Sequence, residues 1–144
     1  MRNKTIISIL IFLFISSLVA CGSNKVEDSN GDKQEVNSVN VYKQEFDEED
    51  SKKTLLFTLQ KDKNKNKLDK FIKAANEVKY QTSRVDMPPS DYKLEFGLAN
   101  NKKVSYSLWL EPNFEGGFIM EDSSHFAQFN QATSKELLNI INHK

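Results

Sequence analysis

The chain has 144 residues with 20 basic and 20 acidic side chains, one cysteine, 38% hydrophobic content and 10% aromatic content. One small domain is the size this allows, and an aromatic-rich composition can still fill its core. A single cysteine excludes an internal disulfide, and a balanced charge excludes the broad basic field that attracts nucleic acid.

Arg2 and Lys4 open the chain, and an apolar run of roughly fourteen residues follows from Ile6. A permanent helical span needs about 20 residues. A positive start and a shorter apolar run are the pattern of an export signal. The run ends in Leu18-Val19-Ala20-Cys21-Gly22, which resembles the lipobox of bacterial lipoproteins. That resemblance implies a diacylglyceryl group on the Cys21 sulfur and signal-peptidase cleavage between Ala20 and Cys21. Residues 1–20 are then a signal peptide. Arg2 and Lys4 leave with it, so 18 basic and 20 acidic residues remain, a net −2. Two acyl chains anchor stably where one does not, so the expected location is the extracytoplasmic face of the cell membrane.

From Cys21 to Ser38 the chain is polar, with Val26 and Val36 its only sizeable apolar side chains after the lipobox. Such a composition buries too little surface to offset ordering entropy. The expectation is a flexible tether over 21–38 and a single domain over 39–144.

Val39 to Phe46 reads as a first strand and Thr54 to Gln60 as a second. Between them lies the acidic turn Asp47-Glu48-Glu49-Asp50. With Glu45 it offers carboxylates but lacks the alternate spacing and central glycine of a calcium loop, so a solvated turn is the better reading. Leu68, Phe71, Ile72, Ala75 and Val78 form one apolar stripe on a helix of about Lys65 to Tyr80, with Asn64 or Asn66 as its cap. Lys61, Lys63, Lys65, Lys67, Lys70 and Lys73 crowd its start. They read as a solvated helix start, with contact to anionic lipid headgroups or wall polymers as the alternative.

Asp86-Met-Pro-Pro-Ser-Asp91 breaks regular structure. Tyr92, Leu94, Phe96 and Leu98 then alternate with polar residues. After Asn100-Asn101, Val104, Tyr106, Leu108 and Leu110 do the same, the pattern of a hairpin. Gly117 to Glu121 and His125 to Phe129 suggest a second hairpin. Thr133-x-x-Glu136 is a capping box before Leu137, Leu138, Ile140 and Ile141. The order ββαββββα predicts an α+β fold, an antiparallel sheet with two helices packed on it.

No catalytic, metal or cofactor motif emerges. His125 and His143 stand apart without zinc spacing, and Ser105, Ser107, Ser123 and Ser124 lie in no nucleophile elbow. The expectation is a non-enzyme without cofactor or metal. By alternation Trp109 faces away from Tyr106, Leu108 and Leu110, and with Tyr92 and Phe114 it is the candidate binding patch. A helix covering that face as well is the competing reading.

The stretches Val85-Asp-Met-Pro-Pro-Ser-Asp-Tyr-Lys-Leu94, Tyr106-Ser-Leu-Trp-Leu110 and Gly117-Phe-Ile-Met120, with the helix after Thr133, resemble the small YhfM-like lipoproteins of Bacillus-type Gram-positive bacteria. The likeness runs over about residues 54–141 plus the lipobox. It implies location and fold and brings no catalytic residue. A membrane-anchored binding or accessory module, with an envelope protein or wall component as partner, is the first functional reading. A small envelope enzyme using His125 with Glu95 or Asp91 is the second. A structural or inhibitory lipoprotein that binds a surface protein is the third.

Overall fold

The computed structural model describes residues 24–27, 31–46, 51–77, 79–81, 88–110, 117–120 and 126–143. The elements in chain order are β1 (Lys25–Glu27), β2 (Lys33–Phe46), β3 (Ser51–Gln60), α1 (Lys65–Glu77), β4 (Lys79–Gln81), β5 (Tyr92–Leu98), β6 (Lys103–Trp109), β7 (Gly117–Met120), β8 (Phe126–Gln128) and α2 (Gln131–Asn142). The elements other than β1 and β4 follow the expected order ββαββββα, and β1 and β4 add two three-residue strands to it. The fold is α+β.

All strand pairs are antiparallel. The sheet runs β1-β2-β5-β6-β7-β8-β4, with β3 also paired to β2. The Glu35 carbonyl accepts from Ala99 N–H on the β5 side, whereas Val36 N–H donates to the Asn24 carbonyl. Backbone groups of neighbouring residues point to opposite edges of an antiparallel strand. β1 and β3 therefore share one edge of β2, β1 along its start and β3 along Ser38 to Phe46.

Period-two alternation sends Val39 and Val41, Leu94, Phe96 and Leu98, and Val104, Tyr106 and Leu108 to one face, where all are buried. Each large side chain so buried contributes about 1.5–3 kcal/mol. The Phe96 and Tyr106 rings meet edge-on, with centroids 5.5 Å apart. Leu68, Phe71, Ile72, Ala74 and Ala75 of α1 and Leu137, Ile140 and Ile141 of α2 enter the same core. α1 contacts β1, β2, β3 and α2, and Lys70 Nζ reaches Glu136 Oε1 at 2.7 Å to join the helices. Both helices thus lie on one face of the sheet.

The expected tether is corrected by its two valines. Val26 is 1% exposed and Val36 0%, both within the core, on strands that begin at Lys25 and Lys33. Asn76 Nδ2 donates to the Lys25 carbonyl at 2.7 Å, and Tyr106 Oη reaches the Glu27 carbonyl at 3.5 Å. Backbone pairing and two buried side chains offset the ordering cost that composition alone would leave unmet. A second correction concerns α2. Its N-cap is Asn130, whose side chain accepts from Thr133 N–H at 2.9 Å. Thr133 receives the cap and lies inside the helix.

Candidate functional site

The opposite face of the sheet is left uncovered by both helices. On it β2 sets Asn40, Tyr42, Gln44 and Phe46, alternating with buried Val39 and Val41. β5 sets Lys93 and Glu95 there, and β6 sets Ser105, Ser107 and Trp109, all half-buried. β3 carries a bulge where Val41 pairs Phe57 and Tyr42 pairs Leu55, which leaves Leu56 as the extra residue. A bulge places two residues against one and resets the alternation. Leu56 and Phe57 pack against the core, and Leu55 falls opposite Tyr42 on the outer face.

Leu55 is 51% exposed and Phe46 49%, the exposed large hydrophobics among the described residues. The registers Tyr42↔Leu55, Gln44↔Lys53 and Phe46↔Ser51 put both on the outer face, Leu55 opposite Tyr42 and Phe46 four residues farther along β2, about 13 Å away, with Gln44 and Lys53 between them. With Tyr42 they form an elongated patch, apolar at both ends and crossed by Gln44 and Lys53. Aromatic and aliphatic side chains exposed at this level are what a partner surface can cover.

Beside the patch, Glu95 organises a polar cluster. Lys53 Nζ donates to Glu95 Oε1 at 2.9 Å, Lys103 Nζ lies 3.6 Å from Oε2 and Tyr42 Oη reaches Oε2 at 3.4 Å. Lys53 Nζ also sits 4.8 Å from the centre of the Tyr42 ring, a cation–π contact. The Lys53 hydrogen bond, then the charges of Lys53 and Lys103 and the Tyr42 hydroxyl, hold the Glu95 carboxyl below its usual range, against the opposing effect of burial. Thr58 Oγ1 donates to Asn40 Oδ1 at 2.7 Å alongside.

Trp109 lies on this outer face, as alternation predicts, and is half-buried. Its indole N–H donates to the Pro88 carbonyl at 2.8 Å. The proline link is thereby part of the face: Asp91 Oδ2 accepts from Leu110 N–H, its carbonyl accepts from Gln44 N–H, and Ser90 Oγ is hydrogen-bonded to Gln44 Oε1. Tyr92 does not share a face with Trp109. It pairs with Leu108 in register, packs against the core and carries Lys43 Nζ over its ring at 4.5 Å. Burial, with the adjacent Asp91 charge, pushes its phenol up. Leu18, Val19, Ala20 and Cys21, Phe114, the acidic turn 47–50, Ser123, Ser124 and His125 lie outside the described residues.

His143 is exposed at the C-terminus of α2, its Nδ1 3.0 Å from the Asn139 carbonyl. Glu95 and Asp91, the carboxylates considered as catalytic partners, are committed to lysines and to a backbone amide. Among the described residues no three His, Cys, Asp or Glu side chains gather as metal ligands. Sequence reasoning missed Glu95 as a hub and the Leu55–Phe46 patch. The uninterrupted Leu55-Leu56-Phe57 run was a legible sign of a bulge.

A family model described as YhfM protein matches residues 32–144. No curated protein and no solved structure matches the chain.

Proposed function

The chain belongs to the YhfM family, and from that premise we propose that it is a lipid-anchored, extracytoplasmic binding module without catalysis of its own, whose partner is a protein of the cell envelope. The observation that carries the binding role is the Leu55–Phe46–Tyr42 patch on the face away from both helices. Leu18-Val-Ala-Cys21 behind a positive start and an apolar run supports the anchor. A diacylglyceryl anchor keeps the module at the bilayer surface, which raises the local concentration of any membrane partner.

The test has two parts. Mass spectrometry of the membrane-extracted protein should find diacylglyceryl on Cys21, and the Cys21→Ala form should be released or unprocessed. A photo-crosslinking residue at position 55 should then give a discrete protein adduct in intact cells, absent when the crosslinker stands at Thr54. Adducts of equal yield at both positions would overturn the patch as the binding surface.

A further inference from the structure

The anchor reading has a geometric consequence for how the domain sits on the bilayer. β1 runs antiparallel to the start of β2, with Glu27 opposite Lys33 and Lys25 opposite Glu35. Traced backward, the chain therefore reaches Asn24 beside Val36, whose N–H donates to the Asn24 carbonyl at 3.0 Å. At that point β3 ends: Gln60 pairs Ser38, and Lys61 N–H donates to the Asn37 carbonyl at 2.9 Å. Only Gly22 and Ser23 separate Cys21 from Asn24, a reach of at most about 10 Å even when fully extended. An acylated Cys21 thus brings the corner between β3 and α1 to the headgroup layer.

That corner is cationic. Lys25, Lys63, Lys65 and Lys67 are exposed, and Lys61 is half-buried beside them. The acids around them are Glu35, ion-paired to Lys61, Asp69, 2.6 Å from Lys65, and Asp62. The count is five positive against three negative, in a chain whose part from Cys21 onward is net −2. The placement is also unfavourable for an isolated helix. α1 has no acid in its first turn and instead opens on Lys65 and Lys67, although the N-terminus of a helix carries partial positive charge. An anionic surface would reverse the sign of that interaction.

We infer that the β3–α1 corner, with Lys25, docks onto the phosphate headgroups of the anionic bilayer that holds the Cys21 anchor. This rests on the lipid-anchor reading. Thr54, which pairs Lys43, lies six residues before Gln60 and so about 20 Å along β3 from that corner.

The test uses the lipidated full-length mature protein in vesicles of phosphatidylglycerol and phosphatidylcholine in equal parts, and in phosphatidylcholine alone. With Cys21 acylated, a cysteine introduced as Asn66→Cys or Thr54→Cys is the one free thiol for a fluorophore. Each net lysine charge near an anionic surface contributes about 1 kcal/mol, or fivefold, so two bias the docked orientation about thirty-fold at low salt. The expected result is that lipid-borne quencher reaches the label at position 66 on anionic vesicles and not the label at 54. The contrast should fade on phosphatidylcholine, in 1 M salt where screening is within ~3 Å, and in the variant carrying Lys63→Glu, Lys65→Glu and Lys67→Glu. Equal quenching at 66 and 54 on anionic vesicles, with Cys21 shown by mass to be acylated, overturns the docking alone. An unmodified Cys21 overturns the anchor reading and the docking with it.

Discussion

Lys53 and Glu95 stand on strands that do not pair with each other, and their side chains meet at 2.9 Å across the top of β2. The bond ties β3 to β5, and Tyr42 of the intervening strand donates to the same carboxylate. Glu95 is 12% exposed in its side chain and Lys53 51%, so the acid loses more hydration than the base and depends on its partners. Its carboxyl is held below the ordinary value of 4.5 by the Lys53 hydrogen bond first. A carboxyl lowered on folding contributes stability above its unfolded value, and that stability is lost as pH falls through the folded value. Glu95→Gln should therefore cost about 1 kcal/mol near neutral pH. The difference from wild type should close once Glu95 is protonated in both states. Urea melts of the two proteins at neutral and acid pH check this, and equal midpoints at neutral pH would show that the cluster adds nothing to stability.

Val26 and Val36 give a sharper test of where the domain begins. Both are buried to within 1%, so Val→Ala at either should cost about 2 kcal/mol, methyl transfer and cavity together. A flexible tether would feel neither substitution. Denaturant unfolding of Val26→Ala and Val36→Ala decides it, with unchanged midpoints returning the boundary to residue 39.

The legible parts of this fold are those where one strand carries its own pattern. Tyr92 to Leu110 alternates cleanly and folds as the hairpin it predicts, and the stripe from Leu68 to Ala75 packs as a helix. Tyr92 itself was readable: it shares parity with Leu94 and Phe96, which places it on the core face and away from Trp109. What stayed hidden depends on pairing between distant segments. The valines at 26 and 36 look isolated in a polar stretch until β1 is laid on β2 and Asn76 closes on Lys25. Glu95 looks like any polar strand residue until the β2–β3 register brings Lys53 over it. β4 pairs only through Lys79 to Gln81, too short for a periodic signal.

The β5–β6 turn makes its own prediction. Asn101 N–H donates to the Leu98 carbonyl at 3.1 Å, and Asn101 has φ 63. This is a tight turn closed by one residue in the left-handed region, a place asparagine and glycine tolerate. Asn101→Gly should leave stability within a few tenths of a kcal/mol, whereas Asn101→Val should cost about 1–2 kcal/mol, because its branched Cβ opposes that conformation. Thermal melts of both variants are the check, and a benign valine would mean the turn relaxes to another form.

The start of α2 separates the capping box expected from the sequence at Thr133 from the cap the structure places at Asn130. Thr133 and Glu136 have capping-box spacing, yet it is the Asn130 side chain that accepts from Thr133 N–H, and the Asn130 carbonyl receives Ser134 N–H at 3.2 Å. Ser134 is buried at 2% and its hydroxyl turns back to the same carbonyl at 3.4 Å, so the first turn is fixed against the core from residue 130 onward. Losing an N-cap side chain costs about 1 kcal/mol. Asn130→Ala should show that loss in urea melts, and Asn130→Asp should recover it, since aspartate caps as well and adds a favourable charge at the helix N-terminus. Thr133→Ala keeps the backbone N–H that receives the cap and should shift stability by no more than a few tenths of a kcal/mol. Were Thr133 the cap, the two alanine variants would exchange their effects, and the helix would start three residues later.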